Sequence, residues 1–157
     1  CPAGSYNTVG MRACRTCPAG RYSSAGASVC TDCPAGTYSA APGAASCTSY
    51  CVASEYSAGG YEESCYGCGT GKYGTEKRQS VCTDCLAGTY KDTIATFTGV
   101  VCQPCDAGTY KSTIGIGTCT PCGVNTYSSE VAATASTTCS ECPYNTQSTV
   151  GSSTCTC

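Results

Sequence analysis

The stretch CPAGTYSAAPGAASC, residues 33–47, decides how this chain must be read. A cysteine stands at each end, and no side chain between them has obvious chemistry. Near copies open at Cys1 (CPAGSY), Cys17 (CPAGRY), Cys85 (CLAGTY) and Cys105 (CDAGTY), with looser ones at Cys51 (CVASEY), Cys68 (CGTGKY), Cys122 (CGVNTY) and Cys142 (CPYNTQ). Successive openers lie 15 to 20 residues apart, so nine repeats fill the 157 residues. A short fixed period implies a quasi-one-dimensional stack in place of a globule. The repeats run 1–16, 17–32, 33–50, 51–67, 68–84, 85–104, 105–121, 122–141 and 142–156. Cys157 stands where a tenth would start, and the chain reads as a window cut from a longer protein.

Composition gives no ordinary core. Of the 64 residues behind the 41% hydrophobic content, 18 are Ala and 19 are Cys; Leu, Met and Phe occur once each and Trp is absent. At roughly 1.5 to 3 kcal/mol per large buried side chain, so few cannot offset the ordering entropy of the chain. Covalent cross-links must contribute. Nineteen cysteines in 157 residues signal a disulfide scaffold, which belongs to oxidising compartments and predicts an extracellular or cell-surface protein. A net charge of -2 with 11% charged residues offers no basic face for nucleic acid. No run of 18 apolar residues spans a membrane in this segment.

Seven CxxC pairs (14/17, 30/33, 65/68, 82/85, 102/105, 119/122 and 139/142) and the variants CTSYC and CTC join one repeat to the next. If each opener pairs with the following cysteine, the bridges are Cys1–Cys14, Cys17–Cys30, Cys33–Cys47, Cys51–Cys65, Cys68–Cys82, Cys85–Cys102, Cys105–Cys119, Cys122–Cys139 and Cys142–Cys155, with Cys157 left over. Loops of this size correspond to about 3 kcal/mol each in the chain-entropy account. Spacing does not fix connectivity, and a skipped, interleaved pattern is the alternative.

Counting from the opener, position five is Tyr6, Tyr22, Tyr38, Tyr56, Tyr73, Tyr90, Tyr110 and Tyr127, with Gln147 in the last repeat. Its neighbours are polar, as in Thr37-Tyr38-Ser39 and Thr89-Tyr90-Lys91. That alternation reads as a short strand with one face covered, the ring packed on the disulfide. An aromatic ladder for sugars or bases is the functional alternative. Position three is Gly4, Gly20, Gly36, Gly71, Gly88 and Gly108, or Ser54, Asn125 and Asn145; Gly and Asn tolerate positive φ, so a tight turn precedes the strand. Further glycines, such as Gly26 and Gly43, mark a second turn. The expected fold is small and disulfide-rich, an elongated rod of about nine stacked hairpin-like repeats with little or no helix. At about 3.3 Å per strand residue it extends on the order of 100 Å.

The pattern C-P-x-G-x-Y, then about a dozen residues and C-x-x-C, resembles the ephrin-receptor-like cysteine-rich repeat and is similar to the simplest module of tumour necrosis factor receptor ectodomains. The resemblance covers the whole chain. It implies one bridge from opener to closer within each repeat. Departures fall at Ser54 and at Gln147, where the glycine and the tyrosine are replaced. Such repeats occur in receptor spacers and ligand-binding segments, and in long surface or appendage proteins.

Other chemistries fit less well. Zinc ribbons would use paired CxxC knuckles, but the regular Pro/Gly/Tyr signature and the absence of His argue against them. Redox catalysis needs an activated thiolate at a helix start. Hydrolysis lacks a histidine, and Asp32, Asp84 and Glu141 read as solvating the linkers. Neither catalytic residue, metal nor cofactor is expected. The function expected is a non-enzymatic extracellular structural one: a stalk, or a subunit of a surface fibre or flagellar-hair-like filament that associates with itself or with other fibre proteins. The alternative is a ligand-binding segment of a receptor ectodomain or adhesin, with Thr93 to Val101 (TIATFTGVV) as its patch.

Position four is Ser5, Thr37, Thr89, Thr109, Thr126 or Thr146, and Arg21, Glu55 or Lys72 elsewhere. If Tyr points inward, these residues point outward in a row. No Asn7, Asn125 or Asn145 sequon exists, so glycans on this row and on Thr134 to Ser140 would be O-linked.

Overall fold

The computed structural model describes residues 1–92 and 101–157. Among these residues the chain alternates two-residue strands and turns, with no α-helix and a single 3-10 turn at Ser136–Thr138. The strands are β1 (Ser5–Tyr6), β2 (Arg15–Thr16), β3 (Arg21–Tyr22), β4 (Thr31–Asp32), β5 (Thr37–Tyr38), β6 (Ser49–Tyr50), β7 (Glu55–Tyr56), β8 (Tyr66–Gly67), β9 (Lys72–Tyr73), β10 (Thr83–Asp84), β11 (Thr89–Tyr90), β12 (Gln103–Pro104), β13 (Thr109–Tyr110), β14 (Thr120–Pro121), β15 (Thr126–Tyr127) and β16 (Ser140–Glu141). Each odd-numbered strand pairs with the even-numbered strand after it, in eight two-stranded sheets. The fold is small, disulfide-rich and built of hairpins.

The repeat sequence explains the hairpin. At positions one to four the chain makes a β-turn, in which the position-four N–H donates to the position-one carbonyl, as from Thr37 to Pro34 at 3.0 Å and from Thr109 to Asp106 at 3.0 Å. Position three takes left-handed φ, 77° at Gly36 and 85° at Gly108, which is the third-residue signature of a type II turn. Asn125 (59°), Asn145 (64°) and Ser54 (70°) do the same. Positions four and five are then the outgoing strand. The residues between closer and next opener are the return strand: Tyr6 faces Arg15 and Ser5 faces Thr16 in antiparallel register. CxxC spacing is therefore hairpin geometry, since two residues suffice to pair with positions five and four before the next repeat opens.

Nine bridges close the repeats: Cys1–Cys14, Cys17–Cys30, Cys33–Cys47, Cys51–Cys65, Cys68–Cys82, Cys85–Cys102, Cys105–Cys119, Cys122–Cys139 and Cys142–Cys155, with Cα separations of 5.5 to 5.7 Å. The core is made of these sulfurs. Among the described residues the buried apolar side chains are nine cysteines, mostly openers, and Ala133.

By contacts the described residues fall into two compact units. The first holds Cys1–Cys68 and Gly74–Cys82; the second holds Gly69–Tyr73, residues 83–92 and Val101–Cys157. Within the first, the position-three N–H of each repeat donates to the position-six carbonyl of the next: Gly4 to Ser23, Gly20 to Ser39, Gly36 to Ser57 and Ser54 to Gly74, each at 2.8 Å. Within the second the same bonds run from Gly71 to Lys91, Gly88 to Lys111, Gly108 to Ser128 and Asn125 to Ser148 at 2.7 to 3.0 Å. The next opener returns a bond to the position-three carbonyl, as from Cys17 to Gly4 at 2.9 Å and from Cys105 to Gly88 at 2.8 Å. Backbone groups buried by stacking thus find partners in the adjacent repeat, which is what their burial demands.

Candidate functional site

The repeat junction is where the side chains with polar chemistry collect. The eight position-five tyrosines Tyr6, Tyr22, Tyr38, Tyr56, Tyr73, Tyr90, Tyr110 and Tyr127 are half-buried. At position four Thr89, Thr109, Thr126 and Thr146 are half-buried, with their hydroxyl hydrogen bonds at the surface. Ser5 and Thr37 are buried. All six hydroxyls donate to the carbonyl three residues back: Ser5 to Pro2 (2.7 Å), Thr37 to Pro34 (2.6 Å), Thr89 to Leu86 (2.8 Å), Thr109 to Asp106 (2.8 Å), Thr126 to Gly123 (2.8 Å) and Thr146 to Pro143 (2.7 Å). Ser and Thr are there to clamp the first turn, as short hydroxyl side chains do.

Position six, read from the sequence as the polar flank of the strand, is the more deeply buried slot. Ser23, Ser39, Ser57, Lys91, Lys111, Ser128 and Ser148 are all buried. Its side chain reaches the position-four carbonyl of the preceding repeat in four junctions: Ser23 to Ser5 (3.0 Å), Ser57 to Thr37 (3.2 Å), Lys91 to Lys72 (2.7 Å) and Ser148 to Thr126 (2.7 Å). Lys91 Nζ also donates to Gly69 O at 3.3 Å. Burial lowers the pKa of Lys91 below its ordinary value, because removal from water disfavours the ammonium. Lys111 Nζ turns instead to its own loop, donating to Thr113 O (2.7 Å) and Gly115 O (3.0 Å). Sequence reading missed this slot because its residues are polar and burial here comes from main-chain stacking.

The linker carboxylates are partnered as well. Asp32 pairs with Arg21 and Asp84 with Lys72 (2.6 Å), each across its hairpin from position four to the second linker residue. The signal was in the sequence: these two repeats carry a cation at position four and CTDC in the linker. Glu141 faces Thr126. Exposed aromatics gather in the first unit, where the Arg21 guanidinium lies 3.8 Å from the Tyr61 ring centroid and that of Arg78 lies 5.0 Å from Tyr50. Tyr66 stands across from Tyr56, with centroids 6.0 Å apart. Its phenol pKa is raised, first by a hydrogen bond to the Glu62 carboxylate and then by that group's charge.

Eighteen cysteines are engaged in bridges, and no group of three or more candidate metal ligands occurs among the described residues. Among the same residues no helix is long and apolar enough to cross a membrane. The Thr93 to Val101 patch lies outside the described residues except for Val101, which is exposed.

Two segments of the chain, residues 20–53 and 98–139, match the family described as tyrosine-protein kinase ephrin type A/B receptor-like. Over those two segments its cysteine-rich repeats are similar to that family. No curated protein matches the chain. The ephrin-receptor-like family is a receptor-like cysteine-rich repeat, not an enzyme family. That family and nine disulfides point to an extracellular location. The matched segments include closer, linker and opener, the parts that the hairpin geometry uses most.

Proposed function

We propose that the protein is a non-enzymatic extracellular spacer: a disulfide-stapled stalk, or a subunit of a surface fibre or flagellar-hair-like filament. One observation supports it above others. The bond from position three to the position-six carbonyl of the next repeat recurs at each of the eight junctions with Gly, Ser or Asn at one end and Ser, Gly or Lys at the other. A junction made by the backbone can be repeated indefinitely with little demand on side chains, which is what a length-setting element needs. In this reading the nine repeats are the structural units, and lateral partners are copies of the chain or other fibre proteins.

Negative-stain images of native material test the proposal, with fibres or stalks of uniform width expected. Small-angle scattering of the chain should give an extended profile. A compact particle with a radius near ~15 Å, the value for a globule of this length, would overturn it. O-glycans, if this surface carries them, belong on Thr134, Ser136 and Thr137, which are exposed, because the position-four hydroxyls already serve as turn donors. Intact mass of native protein checks this, since a mass equal to the bare bridged polypeptide removes the glycans and leaves the spacer.

A further inference from the structure

In the second turn of repeat 5, Arg78 stands where other repeats place Gly26, Gly43, Gly60, Gly115 and Gly151. Its φ is +60°, a left-handed conformation that a residue with a Cβ enters at a cost. Its main chain is held tightly. The Arg78 N–H donates to Cys51 O at 2.8 Å, and its carbonyl presses on Gly36, where an added Cβ would lie 1.9 Å away. Ala132 holds the equivalent slot at φ 59° with only a methyl group, so what sets Arg78 apart is less the strained turn than the place its long cationic side chain reaches.

The guanidinium lies over the Tyr50 ring and borders a concavity of about 380 Å³ lined by Tyr22, Pro34, Ala35, Thr37 and Ser46, all within the first unit. Arg21 provides the contrast. It stacks on Tyr61 and also pairs with Asp32, whereas among the described residues no carboxylate pairs with Arg78. A guanidinium stacked on a ring keeps its in-plane N–H groups free for a bidentate acceptor. The lining of the concavity thus offers one cation, apolar surface from Tyr22, Pro34 and Ala35, and the Ser46 hydroxyl.

We propose that this concavity binds a single acidic sugar, a hexuronate at the end of a saccharide. The carboxylate takes two donors of Arg78, the C–H face of the pyranose lies against Tyr22, Pro34 and Ala35, and Ser46 meets a ring hydroxyl. One cation suits one carboxylate. The net charge of -2 gives no field to gather a polyanion or a multiply acidic peptide, so recognition is local.

The test is titration calorimetry of the intact, bridged chain with a glucuronate-terminated trisaccharide, its glucose-terminated analogue, and a short peptide carrying one glutamate. The glucuronate sugar should bind at least about tenfold more tightly than either control, the discrimination expected when a charged acceptor is lost. Arg78→Gly should abolish that binding while leaving the melting temperature unchanged or higher, because glycine accepts the turn without strain. Arg78→Gln, which keeps a flexible hydrogen-bonding side chain but is shorter and carries no charge, should also lose binding. Equal binding of acidic and neutral sugars, preferred binding of the peptide, no binding of any probe, or full affinity in Arg78→Gly would each overturn the assignment.

Discussion

Each repeat turns twice through a left-handed residue, and the two turns differ in what stands over them. At the first turn, a Cβ added to Gly4, Gly20, Gly36, Gly71, Gly88 or Gly108 would lie 1.9 to 2.5 Å from main-chain atoms of the repeat two further on. At the second turn, a Cβ on Gly10, Gly26 or Gly60 has nothing within 4 Å and one on Gly43, Gly115 or Gly151 meets only side-chain atoms, the nearest at 3.3 to 3.5 Å, while Arg78 and Ala132 carry side chains there at φ near 60°. The same residue type with the same φ therefore answers two demands. The first turn needs glycine because another backbone occupies the space; the second needs the conformation and, at most, a side chain that can give way. It follows that stacking engages the next repeat but one as well as the next.

Substitution at a first turn should have the largest effect. Gly36→Ala places a methyl group inside the Arg78 carbonyl, and since main chain must move, the loss should reach roughly 4 kcal/mol or prevent folding, as steric clashes of this kind do. Urea denaturation of the bridged protein measures it. Gly26→Ala meets only the conformational cost, about 1 to 2 kcal/mol. If the two variants lose equal stability, the contrast between the turns is wrong.

Ala132→Gly sharpens the same contrast from the other side. Ala132 already sits at φ 59°, so glycine should relieve the left-handed strain and, after its own greater chain entropy, stabilise by roughly 0.5 kcal/mol. A destabilised variant would mean that the methyl group packs. The smallest effect concerns one first turn, at Gly71, whose N–H donates to the carbonyl of Lys91. Burial lowers the Lys91 pKa from its ordinary 10.5, so between the lowered value and 10.5 the unfolded chain binds more protons than the folded one, and stability should rise with pH through that window. The stability difference between the native chain and Lys91→Ser should follow this rise. A flat difference up to pH 10.5 would show that the ammonium is as well solvated folded as unfolded.

The repeat, the left-handed slot at position three, the hairpin and the linker spacing could be read from the sequence because each leaves a local mark: a period, a glycine or asparagine, a tyrosine, a CxxC. The facing of side chains could not. A strand of two residues is too short for alternation to select a face, and Thr37, Ser39 and Lys91, polar neighbours of Tyr38 and Tyr90, are buried by stacked backbone. Apolar pattern reports burial by side chains and is silent on burial by main chain. The Arg21–Asp32 and Lys72–Asp84 pairs were legible once the linker was understood as a strand, since only then does the second linker residue face position four. The Arg78 concavity had no sequence signal beyond one arginine at a glycine's place, and its meaning depends on Tyr50 and Tyr22 from two other repeats.

The bridges also decide what the chain can do under tension. Each disulfide spans 13 to 17 residues and removes that loop from the length a pulling force can draw out. Only the few peptide bonds from closer to next opener, about 10 Å per repeat at full stretch, can lengthen when a junction opens. Rupture of the backbone bonds therefore releases only this short linker in each repeat, and the residues inside each bridge become available to stretching only after a reductant cuts it.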